Sequence, residues 1–98
     1  MQGNIYLITD GLFFKIGRTK KDCNKRLKEL QTGSPYTLQL IESVHVNNAS
    51  MVESILHRKY FYCKQINEWF SLEENDVSKF KENCLLIDKQ LEITKNII

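Results

Sequence analysis

The chain has little of what would mark a secreted scaffold, a zinc module or a membrane protein. Among its 98 residues are three cysteines, Cys23, Cys63 and Cys84, odd in number, far apart and in no CxxC spacing. Neither a disulfide framework nor a zinc site is suggested, and the thiols are expected to be reduced. The purely apolar runs last only a few residues, as in Cys84-Leu85-Leu86-Ile87, whereas a membrane-spanning helix needs roughly 18. The opening Met1-Gln2-Gly3-Asn4 lacks a basic region followed by an apolar run, so no signal peptide is read and an intracellular location, cytoplasmic or nuclear, is expected. The only proline, Pro35, sits in the loop signal Thr32-Gly33-Ser34-Pro35. With no internal repeat and no linker, residues 1–98 read as a single domain.

Hydrophobic residues make up 42% of the chain and charged residues 27%, close to the globular average. A domain of this length buries roughly 60 to 70% of its unfolded surface, so one core is expected. Net charge is only +2, but the charge is unevenly spread. Between Lys15 and Lys28 stand Lys15, Arg18, Lys20, Lys21, Lys25, Arg26 and Lys28 against the lone acid Asp22. A phosphate-binding surface would lie in this first third; a solvated basic helix face is the plainer reading.

Asn4 to Thr9 and Leu12 to Arg18 are rich in β-branched and aromatic residues and flank Asp10-Gly11, which predicts a two-residue hairpin turn. Asp22 caps a predicted helix running to about Gln31, with Cys23, Leu27 and Leu30 on its inner stripe. Thr37 to Val46 reads as a third strand, with Leu38, Leu40 and Glu42 on one face and Ile41, Ser43 and His45 on the other. A helix from Ala49 to about Tyr62 follows, with Val52, Ile55, Leu56 and Lys59 turned inward. Asn67 to Phe70 reads as a short strand. Ser71-Leu72-Glu73-Glu74 forms a capping box that opens a long C-terminal helix over about 73–95, striped by Val77, Phe80, Cys84, Ile87 and Leu91. The order β-β-α-β-α-β-α is that of an α/β, or α+β, domain with a small, mostly antiparallel sheet.

A two-residue turn at Asp10-Gly11 sets Ile5 opposite Ile16, Leu7 opposite Phe14 and Tyr6 opposite Lys15, with Cβ atoms roughly 5 Å apart. An ammonium beside a phenol favours phenolate and lowers its pKa from about 10, toward use as a general base. Ordinary surface residues on a half-exposed strand are the competing reading.

Gly3-Asn4-Ile5-Tyr6, then Phe14-Lys15-Ile16-Gly17, then Arg26, resemble the signature of the GIY-YIG nuclease superfamily. Downstream, the run from Arg26 through Pro35, Ala49 with Glu53 and Leu56-His57, and Glu68-Trp69-Phe70 resemble a branch of that superfamily, and the likeness covers about residues 3 to 72. It implies a three-stranded antiparallel sheet flanked by helices and metal-dependent hydrolysis of DNA. By that resemblance Tyr6 is a general base, Lys15 stands in place of a second tyrosine, Arg26 holds the phosphate and Glu53 binds Mg²⁺ or Mn²⁺. His57 either touches the phosphate or leaving group or holds Glu53 in place. Arg18, Lys20, Lys21, Lys25 and Arg58 are the expected contacts to DNA, and Trp69 and Phe70 are expected in the core. Two alternatives stay open: a DNA-binding module without catalysis, and an interaction module that forms a homodimer through the C-terminal helix.

Overall fold

A computed structural model describes residues 1–97 of the chain. Four strands, β1 (Gly3–Thr9), β2 (Phe14–Thr19), β3 (Gln39–Val46) and β4 (Trp69–Phe70), form one antiparallel sheet in the order β3-β1-β2-β4. Helices α1 (Cys23–Thr32), α2 (Ala49–Lys59), α3 (Glu74–Ser78) and α4 (Phe80–Ile97) complete the α+β fold, with a 3-10 turn at Phe61–Cys63. The short strand expected at Asn67 to Phe70 thus joins the three-stranded sheet as its fourth member. Trp69 and Phe70 pair with Lys15 and Phe14, after a turn in which Asn67 adopts φ 54. Asparagine is one of the few side-chain-bearing residues that tolerates this left-handed region.

The hairpin register differs from the predicted one. Asp10 does not start a two-residue turn: its Oδ1 accepts the backbone N–H groups of Leu12 and Phe13 at 2.9 and 2.8 Å, closing a loop over residues 10–13. Thr9 Oγ1 adds a hydrogen bond to the Phe13 carbonyl at 2.8 Å. The longer loop shifts the pairing by two, so Tyr6 faces Gly17, Leu7 faces Ile16 and Ile8 faces Lys15. A shift of two preserves the side-chain alternation, so Tyr6 and Lys15 still share a face although they are not opposite one another.

That face, covered by α1, forms the smaller cluster: Tyr6, Ile8, Cys23 and Leu38 are buried, with Leu27, Leu30, Leu40 and Trp69 packed on them. A register shift between Leu7 and Ile8 leaves Ile41 out of the β1 pairing and reverses the alternation of β3. Leu40 and Ser43 consequently lie on the same side, opposite Ile8 and Tyr6, while Glu42 turns to the other side with Leu7. The predicted split of Leu40 from Ser43 thus fails at a bulge.

The opposite face carries the main core, in which Ile5, Leu7, Ile16, Val44 and Val46 of the sheet meet Val52, Leu56, Phe80 and Cys84 of α2 and α4. Each large aliphatic or aromatic side chain buried this fully contributes about 1.5–3 kcal/mol. Helix α2 ends earlier than predicted, at Lys59, and Lys59 is exposed rather than turned inward. The capping box opening the C-terminal region is Glu73 with Asp76, not Ser71 with Glu74, and the helix it starts lasts only to Ser78 before α4 begins.

The stripe of α4 is intramolecular. Phe80 and Cys84 are fully buried, and Val77, Ile87 and Leu91 pack on the same core, so this stripe does not support the alternative of a homodimer through the C-terminal helix. Burial, with Glu42 and Asp88 nearby, pushes the Cys84 thiol up to about 12. Asp88, at the next position on this face, anchors α4 to the start of α2. Its Oδ2 accepts Asn47 N–H at 2.9 Å, and its Oδ1 accepts both the backbone and side-chain N–H of Asn48, each at 2.9 Å. Lys95 hydrogen-bonds the Asn48 side-chain oxygen.

Candidate functional site

Gly17 is where the local sequence opens a site. A Cβ at this position would collide with the hydroxyl oxygen and Cζ of Tyr6, so the tyrosine ring lies across the bare backbone of β2 and carries its hydroxyl toward the outer edge of the sheet. The outer edge of β2 has no strand partner from Gly17 onward, because β4 pairs with β2 only at Phe14 and Lys15, while Gly17 and Tyr6 are themselves buried.

Side chains reach this notch from both layers. From α1 comes Arg26, close enough for its positive charge to favour the Tyr6 phenolate. Its Nη1 also bonds Glu29 Oε1 at 3.1 Å, one helical step away. Glu29 takes Lys21 Nζ as well, at 2.6 Å, and these two cations hold its carboxyl below the usual range. From α2, on the other side of the sheet, come Glu53 and His57. Glu53 Oε1 meets Arg18 Nε at 3.3 Å. His57 Nε2 lies 2.8 Å from the Ile16 carbonyl; a carbonyl only accepts, so this nitrogen carries the proton. The imidazole edge packs on Phe70 with ring centroids 5.1 Å apart, so His57 is anchored to β2 rather than holding Glu53.

Tyr6 is buried, and burial raises its pKa above the ordinary value; Arg26 pulls it back, while Glu68 and Glu53 push it up. The expectation that Lys15 would depress it is corrected. Lys15 faces Ile8 in the actual register, and its ammonium is held 3.5 Å from Glu68 and 5.5 Å from the centre of the Trp69 ring. Tyr6 is therefore a neutral phenol at pH 7.

The structure pairs Glu53 with Arg18 on the α2 side of the sheet, sets Arg26 near Tyr6 on the α1 side with Lys15 on the same face, and ties His57 to β2. Lys20 and Lys25 are exposed nearby, before and on α1, and make no ion pair among the described residues. Arg58 is not part of this group. It is exposed on α2, two positions from the buried Leu56 and Tyr60 and turned from the core. Sequence reading missed Glu29 and Glu68 as partners of the two cations; the i,i+3 spacing of Arg26 and Glu29 was the available signal.

The donor set was tested for a divalent ion. No group of three or more His, Cys, Asp or Glu is gathered among the described residues, which excludes a closed protein cage there. Glu53 is a single carboxylate already matched to a positive charge, Arg18. An ion there would have to displace the Arg18 guanidinium and take its remaining oxygens from water and substrate.

The chain matches the T5orf172 domain over residues 3–85. It belongs to the T5orf172 domain family. This corrects the expected membership of the GIY-YIG superfamily: the match covers the whole stretch on which that resemblance rested, and it falls to a family of another description. No curated protein and no solved structure matches the chain. The strands and helices that build the notch, from β1 to the start of α4, all lie within the matched T5orf172 segment. No helix among the described residues is long and apolar enough to cross a membrane.

Proposed function

We propose that the chain is a DNA nuclease domain that hydrolyses phosphodiester bonds at the notch beside Gly17. Membership of the T5orf172 family supports a DNA-related function. The observation that carries the finer reading is the packing of the Tyr6 hydroxyl on the bare backbone of Gly17, within the field of the Arg26 charge. Arg26 suits a phosphate whose charge grows in the transition state, since its planar fork donates to two oxygens at once.

The neutral Tyr6 hydroxyl orients the attacking water, and its strength as a base grows as pH approaches its raised pKa. A divalent ion at Glu53, when bound, supplies a Lewis acid for the phosphoryl oxygens. Arg18, paired with the same carboxylate, would be released toward the DNA backbone if an ion were held there. His57 fixes the edge of β2 through the Ile16 carbonyl, and Lys15, steadied by Glu68, adds positive charge on the Tyr6 face. Lys20, Lys21 and Lys25 extend the phosphate-binding surface. This activity places the domain wherever its DNA is found, inside a cell.

A binding module without catalysis is favoured by one observation: Glu53 and Lys15 both already hold charged partners within the chain. Plasmid nicking with Mg²⁺ or Mn²⁺ separates the readings. Wild-type protein is expected to nick, with Arg26→Ala and Glu53→Ala at least a hundredfold slower. Nicking that survives Glu53→Ala contradicts the catalytic reading, and DNA binding without nicking under either metal favours the module.

A further inference from the structure

On the far side of Lys15 from the notch lies a groove of about 530 Å³. Its walls are the hairpin loop at Phe13, the C-terminal end of α1 at Leu30, the loop at Pro35 and Tyr36, and the turn before β4 at Ile66 and Trp69. Lys15 and Glu29 line it too, so it adjoins Arg26 through its partner Glu29 and shares Lys15 with the Tyr6 face. Three aromatic residues, Phe13, Tyr36 and Trp69, border this one opening together with the Lys15 ammonium.

Tyr36 is the telling residue. Its side chain is 63% exposed, yet the backbone beneath it is closely tied. Its carbonyl accepts from Gln31 Nε2 at 2.8 Å and from Ser34 Oγ at 3.0 Å, and its own N–H reaches Ser34 Oγ at 3.2 Å. Gln31 Oε1 meanwhile receives the N–H of Leu38 at 2.7 Å. A loop with this many hydrogen bonds around an exposed ring presents that ring in a set place. The acids of the groove are already engaged, Asp10 by the loop amides of Leu12 and Phe13 and Glu29 by Lys21 and Arg26, so they do not repel a strand strongly.

We propose that this groove takes one unpaired nucleobase of a DNA strand, stacked on Tyr36 against the wall of Trp69 and Ile66, with the adjoining phosphate at Arg26 and Lys15. The inference rests on the nuclease reading and gives it a preference for DNA carrying an unpaired base, since a base in a duplex, a plasmid included, enters only at the cost of unpairing and unstacking it. Base stacking on aromatic side chains is tolerant of sequence and adds to, rather than replaces, backbone contacts.

Trp69 is the only tryptophan of the chain, so its fluorescence reports on the groove directly. The experiment titrates the full chain, in EDTA to prevent cleavage, with a short oligothymidylate, with a strand of the same length bearing an abasic sugar at its centre, and with a blunt duplex. Fluorescence anisotropy of labelled strands is followed alongside. Saturable quenching is expected with oligothymidylate, with about tenfold weaker binding of the abasic strand and no quenching by the duplex. Tyr36→Ala, at an exposed position that leaves the fold intact, is expected to weaken the oligothymidylate about tenfold and the abasic strand hardly at all. Equal binding of normal and abasic strands, or equal losses on both in Tyr36→Ala, overturns the base subsite while leaving the nuclease reading in place. Failure of every DNA to bind overturns both.

Discussion

The two faces of the sheet are built from the same strands and do different work. The face under α2 and α4 is a thick apolar layer with Phe70, Phe80 and Cys84 fully buried. The face under α1 is thin: four buried residues, one of them Tyr6, beside exposed and half-exposed cations. Burying a phenol next to a guanidinium contributes less than burying another aliphatic group, because part of the gain is spent on desolvation. The thick face stabilises a fold on which the thin face holds reactive groups close together.

The largest expected effect falls on the thick face. Phe80→Ala, at a fully buried position, is expected to lose about 3–5 kcal/mol, read as a lower urea midpoint, whereas Leu27→Ala on the half-buried thin face loses about half as much or less. Similar losses at both positions would dissolve the distinction.

Asp88→Asn comes next, at about 2–3 kcal/mol, because three N–H groups lose a charged acceptor. Burial alone would raise the Asp88 pKa, but the hydrogen bonds from Asn47 and Asn48 and the charge of Lys95 outweigh it, and the net direction is downward. A carboxyl whose folded pKa lies below its unfolded value, about 3.9, contributes stability that is present above that value and lost as pH falls through the folded pKa. Urea midpoints taken from pH 6 to pH 2 are expected to fall less steeply in Asp88→Asn than in the wild type.

Gly17→Ala links the layers, at about 1–3 kcal/mol, since the new methyl group displaces the Tyr6 ring. In a Tyr6→Ala background the same change is expected to cost less by at least about 1 kcal/mol, a coupling that a double-mutant cycle measures. Additive losses would mean that the ring does not lie over Gly17.

The smallest effect concerns charge. Lys25→Ala is expected to reduce the salt dependence of DNA binding by about one unit of slope, as for a lost phosphate contact, and Arg58→Ala to leave it unchanged. The reverse result would move the DNA to the α2 face.

Much of this arrangement was legible in the chain. The alternation in β1 and β2 separated Ile5, Leu7 and Ile16 from Tyr6 and Lys15, and the α1 stripe of Cys23, Leu27 and Leu30 brought Arg26 toward the sheet. The register was not legible, because Asp10-Gly11 reads as a two-residue turn until the Asp10 carboxylate is seen capping two further amides. The error was harmless for the faces and misleading for the chemistry: it set Lys15 against Tyr6, where the backbone of Gly17 stands. The Ile41 bulge and the Asp88 anchor were hidden for a related reason. Both depend on partners about 30 to 40 residues away, which periodicity along a single segment does not encode.

The central claim, that Tyr6 on the thin face takes part in the chemistry while the apolar core of the thick face carries the stability, is tested most directly by Tyr6→Phe. The change removes one oxygen and leaves the ring on Gly17. Plasmid nicking with Mn²⁺ should be measured for this variant and the wild type at a temperature where both are fully folded. The account predicts a loss of stability of no more than about 1.5 kcal/mol together with nicking at least a hundredfold slower. Nicking at the wild-type rate in a folded Tyr6→Phe protein would contradict it.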